Sequence, residues 1–172
     1  MKLDILKDSD VFKNHEYDTP EKYEDRKTVK IVIKNNKGEI ALVTNPIHNF
    51  FLLPGGGAES DNLEKEAIRE ALEEVNHNVK IIKKIAELEE FRNRNAKHYL
   101  TTCFLAEAIS ENKEDLRTEE EKENELEVEW FKLIDAVEIM KNQVSLVKKG
   151  KVEFYNTAFN IIRDEYFIKL II

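Results

Sequence analysis

Residues 54–77 read PGGGAESDNLEKEAIREALEEVNH, a glycine turn that runs straight into a charged helical pattern. Three successive glycines, Gly55 to Gly57, weaken any regular element and permit backbone conformations closed to other residues. At roughly 100° per residue, the segment after them places Glu66, Glu70, Glu73 and Glu74 on one helical face. Ile68, Ala71, Leu72 and Val75 fall on the opposite face, the stripe expected to be buried. Like charges at i,i+4 (Glu66/Glu70 and Glu70/Glu74) each cost an isolated helix about 0.2–0.5 kcal/mol. Two arrangements tolerate them: a solvated acidic face, or a hard divalent cation bound by carboxylate oxygens.

The surrounding spacing bears on that choice. Gly55 is followed after five residues by Asp61, after seven more by Arg69-Glu70, and after two more by Glu73-Glu74. This closely resembles the Nudix box, Gly-x5-Glu-x7-Arg-Glu-U-x-Glu-Glu-x-Gly-U, with U an aliphatic residue. The match spans residues 55–77, and Leu53-Pro54 and Trp130 also fit the family's habits. Asp61 stands where the family has Glu, and the segment ahead of the helix is one residue shorter. Asn76 replaces the closing glycine, and His77 an aliphatic residue. Asn is the next-best residue after Gly for the left-handed conformation that ends a helix. Asp61 can cap the helix, with Glu64 completing a capping box, and it is placed to pair with Arg69.

The resemblance implies a Nudix-like α/β/α sandwich, a mixed β-sheet flanked by helices, over a single domain spanning residues 1–172. It implies hydrolysis of a nucleoside diphosphate linked to another group. Nucleoside triphosphates, including oxidised ones such as 8-oxo-dGTP, nucleotide sugars and ADP-ribose are the candidate classes. On the same basis Glu70, Glu73 and Glu74 hold Mg²⁺ or Mn²⁺, and the backbone carbonyl of Gly55 is a further metal contact. Arg69 holds the loop–helix junction through Asp61. The attacking water is deprotonated by a box glutamate or by Glu123 or Glu125 of the acidic run 119–125, although the ordinary reading of such a run is a solvated charge run. A non-catalytic nucleotide-sensing domain is the alternative. Degenerate sensors usually lose box glutamates, and all three are present here.

Composition narrows the rest. A length of 172 residues suits one domain with a substantial core. A net charge of −8 argues against a stable nucleic-acid partner bound by phosphate neutralisation, and it favours cations at any site that handles phosphates. Cys103 is the single cysteine, so no internal disulfide forms, and its apolar surroundings suggest core. No apolar run approaches the ~20 residues of a membrane span, and the N-terminus lacks a signal-peptide core, so a cytoplasmic location is expected. Nothing in the sequence excludes a homodimer.

Strands are expected at 29–33 and 40–43, joined by the Asn35–Gly38 turn. A short strand at 50–53 enters the glycine turn, and the box helix covers about 62–75. Further strands are expected at 79–88, 98–108 and 126–131, a short helix at 134–141, and an amphipathic helix within 152–170 carrying Phe154, Ala158, Ile161 and Ile162. Arg92, Arg94 and Lys97, with His98, form a basic cluster that either binds substrate phosphates or solvates a hairpin turn. Phe50, Phe51, Tyr99 and Trp130 could stack a base, though core packing suits most of them. Phe51 is carried as a substrate-binding candidate. The four histidines show no zinc-like spacing.

Overall fold

The structure, a computed structural model, describes residues 5–13, 17–44, 46–47, 49–112, 114 and 126–172. Its strands are β1 (Ile5–Lys7), β2 (Glu24–Lys34), β3 (Glu39–Thr44), β4 (His77–Arg92), β5 (Lys97–Glu111) and β6 (Glu127–Lys132). Helices are the four-residue α1 (Asp8–Val11), the box helix α2 (Leu63–Val75), α3 (Leu133–Lys148) and α4 (Tyr155–Lys169). The strands form one mixed sheet in the order β1-β4-β5-β2-β3-β6, as the α/β reading expects. No helix among the described residues is long and apolar enough to cross a membrane.

Alternation along β2 divides the core into two layers. Val29, Ile31 and Ile33 face α2, where Ala67, Ala71 and Val75 pack on them. Val32 faces the other way, into a second cluster in which Leu53, Leu88 and Cys103 meet Met140 and Val144 of α3 and Phe159, Ile161 and Phe167 of α4. The two alanines of α2 bring the helix backbone close to the sheet. The buried stripe of α2 is therefore centred on Ala67 and Ala71, not on Ile68, which is 40% exposed. Glu66 and Glu70 lie on the edge of that stripe and are buried. The acidic face is turned toward the glycine turn rather than toward solvent.

The sheet is split between β2 and β3. β2 pairs with β5 in parallel along its whole length, from Glu24 opposite Lys97 to Lys34 opposite Glu107. Its pairing with β3 is confined to the hairpin turn, Lys34 opposite Ile40. Residues 52–58 fill the gap. Leu52 exchanges both backbone hydrogen bonds with Val43 of β3, while Ile31 N–H donates to Pro54 O, Val29 N–H to Gly56 O, and Ala58 N–H to Lys27 O. The expected strand at 50–53 is thus a single bridge, because its neighbouring residues turn from β3 to β2.

Several expected elements are longer than the sequence suggests. α3 runs sixteen residues. α4 starts after Phe154, which is 44% exposed, and buries Arg163 and Asp164 along with its apolar residues, so it is not simply amphipathic. The acidic run 115–125, including Glu123 and Glu125, lies outside the described residues.

The cap of α2 is Asn62, whose side chain accepts from Lys65 N–H at 3.1 Å, one residue later than the expected Asp61. At the other end Asn76 takes the left-handed conformation, φ 56°, and its amide donates to Asn112 O. Asn76→Ala should lose about 1 kcal/mol, a fall of several degrees in thermal melts. Asn76→Gly should lose less, since it keeps the backbone freedom and gives up only the tether to Asn112. Equal losses would assign the effect to the tether instead.

Candidate active site

The glycine turn and α2 meet through backbone and carboxylates. Gly55 has φ +126°, and a Cβ there would lie 2.2 Å from Val29 O and 3.0 Å from Lys30 Cα. Only glycine fits, because β2 runs directly behind it. Its N–H donates to Glu74 Oε2 at 2.6 Å. Gly56 faces the Glu70 carboxylate, whose Oε2 would be 2.9 Å from a Cβ at that position. The turn is thus a cradle that brings two box carboxylates against bare backbone.

Arg69 gathers the carboxylates of its own helix. Its guanidinium donates to Glu66 at 3.1 Å, Glu70 at 2.6 Å and Glu73 at 2.5 Å, and to the Gly57 carbonyl at 3.1 Å. The expected Arg69–Asp61 pair does not form. Asp61, 91% exposed, pairs instead with Lys27 of β2 at 2.6 Å, because Arg69 is enclosed by closer partners at i−3, i+1 and i+4. Arg69 does hold the loop–helix junction, but through Gly57 and Glu66. Glu66 in turn accepts from Ser60 Oγ at 2.7 Å and Glu59 N–H at 3.2 Å, and these bonds hold its carboxyl below the usual carboxylate range.

Burial pushes the Glu70 carboxyl up to about 7, and the neighbouring Glu74 charge adds to the effect against the pull of Arg69 and Lys30. Two carboxylates that disfavour each other's charge beside a backbone cradle form a donor set suited to a hard divalent cation. The Gly55 carbonyl is engaged, accepting from the buried Lys30 ammonium at 2.7 Å. In this arrangement it already has a cationic partner, and the side-chain carboxylates are the stronger metal candidates.

The basic cluster is not brought to these carboxylates. Arg92 is 3% exposed and committed internally: it donates to Glu90 at 2.9 Å, Asn156 at 3.1 Å and Asn160 at 2.8 Å, under the rings of Tyr99 and Phe159. Arg94 lies over the Tyr155 ring, and Lys97 opens β5 opposite Glu24. The cluster ties the β4–β5 turn to α4, which corrects the substrate-binding expectation for Arg92. Phe51 packs edge-on against Phe131 at 5.2 Å, and Trp130 meets His77 at 5.3 Å, so both have packing partners.

Sequence reasoning missed Lys30, Gln143 and Asp164. Gln143 clasps Phe51, accepting its N–H at 2.7 Å and donating to its carbonyl at 2.8 Å. Asp164 accepts from Leu53 N–H at 3.0 Å. A lysine in the middle of an apolar strand, Val29-Lys30-Ile31, was the one available signal.

The Glu70 environment makes a pH prediction. Its carboxyl titrates near 7 in the native state against 4.5 for an ordinary glutamate. The native state therefore binds more protons than the unfolded chain in that window, and stability falls as pH rises through it. Urea unfolding in chelator should show the protein losing about 3 kcal/mol relative to Glu70→Gln between acid and weakly alkaline pH. A difference independent of pH would overturn the burial argument.

Residues 24–150 match the model of the NUDIX domain. No curated protein sequence matches the chain. Among solved structures, a NUDIX hydrolase from Nitrosomonas europaea superposes with a TM-score of 0.56 at 20% identity, over 83% of this chain and 89% of that one. A MutT protein from Methanosarcina mazei Go1 gives 0.50 at 22% identity, over 68% and 83%. These likenesses are of fold, and the family match covers the glycine turn, the box helix and all three box glutamates. The chain belongs to the NUDIX family, and the enzyme it forms is a pyrophosphohydrolase.

Proposed function

We propose that the protein is a Mg²⁺- or Mn²⁺-dependent hydrolase of a nucleoside diphosphate linked to a second group. Its substrate is a nucleoside triphosphate, oxidised ones included, or a nucleotide sugar or ADP-ribose-like compound. The observation that carries the reading is the pair Glu70 and Glu74, held against the Gly55–Gly56 backbone, where burial and the neighbouring Glu74 charge push the Glu70 carboxyl up. Such a pair is costly in a protein that binds nothing there and is relieved by a dication.

Glu70, Glu73 and Glu74 would hold the metal, which when bound supplies charge neutralisation for the phosphate oxygens. The chain's own residues do the remainder. Water attacks one phosphorus of the pyrophosphate, the bridging P–O bond breaks, and the water's proton passes to a carboxylate. A box glutamate serves as that base, or Glu123 or Glu125 does. Arg69 fixes Glu70 and Glu73 in one orientation, so these carboxylates need not reorganise during turnover. The bare backbone at Gly56 admits the Glu70 carboxylate where a side chain would exclude it. The reducing compartment that suits a free, buried Cys103 is the cytoplasm.

The test is a nucleotide panel with Mg²⁺ or Mn²⁺, with and without chelator, read as phosphate or nucleotide release. Metal-dependent release of a monophosphate nucleotide is expected. Binding without release would favour the sensing alternative. Glu74→Gln keeps an oxygen that can accept from Gly55 N–H, so it should fold, yet turnover should fall by roughly a hundredfold or more. Mg²⁺ at a hundredfold excess over Kd should stabilise the unmutated protein by about 2.7 kcal/mol, and Glu74→Gln should lose most of that gain. Equal melting shifts for Mg²⁺ and Na⁺ at matched ionic strength would indicate screening alone and overturn the metal site.

A further inference from the structure

Every backbone polar group that leads into the catalytic turn has an identified partner. Phe51 is clasped by Gln143 and Leu52 by Val43. The Leu53 N–H donates to Asp164 Oδ2 at 3.0 Å, and its carbonyl accepts from Lys30 Nζ at 2.7 Å. Pro54 O accepts from Ile31 N–H. Gly55 O accepts from the same Lys30 ammonium at 2.7 Å, and Gly55 N–H donates to Glu74 at 2.6 Å. Two of these partners are charged groups set into the core, Lys30 at 7% and Asp164 at 0% exposure.

Buried charges are a costly way to satisfy one amide and two carbonyls. Removing an ammonium or a carboxylate from water costs several kcal/mol unless its hydrogen bonds are well made. Neutral side chains could supply the same donors and acceptors, as Gln143 does one residue pair earlier. Charged hydrogen bonds are shorter and about twice as strong, and here they grip the Leu53 residue from both sides. Asp164 is itself fixed, since its Oδ1 accepts from Arg163 Nε at 2.8 Å, and Arg163 reaches Glu90 of β4 at 3.2 Å. The grip is transmitted two residues along the chain to the amide that holds Glu74.

We propose that Lys30 and Asp164 are positioning residues of this hydrolase: they hold the Leu53–Gly55 backbone in the one orientation that presents the Gly55 N–H to Glu74, and so set how that carboxylate faces the substrate. What Glu74 does there rests on the function proposed above. Asp164 lies on α4, beyond the residues 24–150 that match the NUDIX domain. The C-terminal helix therefore acts on the catalytic turn from outside the matched segment.

The test uses the full chain with Lys30→Met, which removes the ammonium at similar length, and Asp164→Asn, which keeps shape but weakens the acceptor. Ile161→Val, a buried apolar change on the same helix, controls for lost stability. Two readouts are taken well below the lowest melting temperature. The first is the Gly55 amide proton in NMR spectra, expected far downfield in the parent because of its short bond to a carboxylate. It should move upfield and exchange about tenfold faster or more in both variants, and stay in place in the control. The second is steady-state release from GTP and from ADP-ribose with Mg²⁺. There kcat should fall by roughly 10- to 100-fold with KM within about twofold, while Ile161→Val keeps the parental kcat. Should Lys30→Met fail to fold, Asp164→Asn decides alone. An unmoved Gly55 resonance in the folded variants overturns the proposal, as does a moved resonance with parental kcat. A parent that hydrolyses neither nucleotide removes those two from the substrates of the function reading, and the resonance still decides whether the two residues hold the turn.

Discussion

Parting β2 from β3 leaves a row of backbone donors on β2 that the interior cannot leave unpaired. Those of Val29 and Ile31 are met by the carbonyls of Gly56 and Pro54, so residues 52–58 are the missing strand of the sheet. A segment that pairs with one neighbour through Leu52 and with another through Pro54 and Gly56 has to cross over between them. The crossing forces Gly55 to φ +126° with its backbone pressed on Val29. The glycine turn is accordingly a consequence of the sheet topology, and the site follows from it. Where the backbone crosses, it turns the Gly55 N–H toward α2, and a carboxylate of the next helix comes to meet it.

The electrostatics of the site follow from that placement. Ala67 and Ala71 seat α2 close to β2, which draws Glu66 and Glu70 out of water along with them. Arg69 then serves three carboxylates at once. Arg69 does not offset what burial does to Glu70: desolvation pushes that carboxyl up, and the Glu74 charge adds to it against the pull of Arg69 and Lys30. The sign of that imbalance is what a phosphate-handling enzyme with a net charge of −8 requires. On the function proposed above, a cation held by these carboxylates offsets that imbalance for a polyanionic substrate.

Features carried by short-range patterns were legible in the sequence. The box helix, the Asn35–Gly38 turn, most strands and the left-handed Asn76 all depend on neighbours within a few residues. The helix lies where its period places it, and Ala71 and Val75 of its expected stripe are buried, but Ala67 takes the place expected for Ile68. Hydrophobicity favours Ile68 as core, whereas close packing on the sheet selects the smaller Ala67. Arg69 was assigned to Asp61 from spacing alone, when three glutamates on its own helix were nearer. Arg92 looked like a surface cation until Glu90, Asn156 and Asn160 were brought around it. Lys30 and Asp164 meet the turn from 23 and 111 residues away from Leu53. No local period encodes contacts of that separation.

The buried charges under α4 pose the converse question of what they contribute to a fold that apolar residues could also stabilise. Replacing a buried ion pair by well-packed hydrophobic residues is often neutral or favourable, so Glu90, Arg92, Arg163 and Asp164 are weakly explained by stability. Apolar contacts between a helix and a sheet, however, tolerate sliding, because one methyl group serves nearly as well as the next. Glu90 accepts from Arg92 of its own strand and from Arg163 of α4, and Asp164 must reach the Leu53 N–H on the following segment. A slip of α4 by one turn, about 5.4 Å, would take the Arg163 bond from Glu90 and the Leu53 N–H from Asp164, leaving each buried carboxylate with only the partners on its own side. The ionic network therefore fixes the register of the helix on the sheet. Register is also what the glycine turn needs from α4, since an Asp164 displaced by even part of a turn could no longer hold the residue that leads into Gly55.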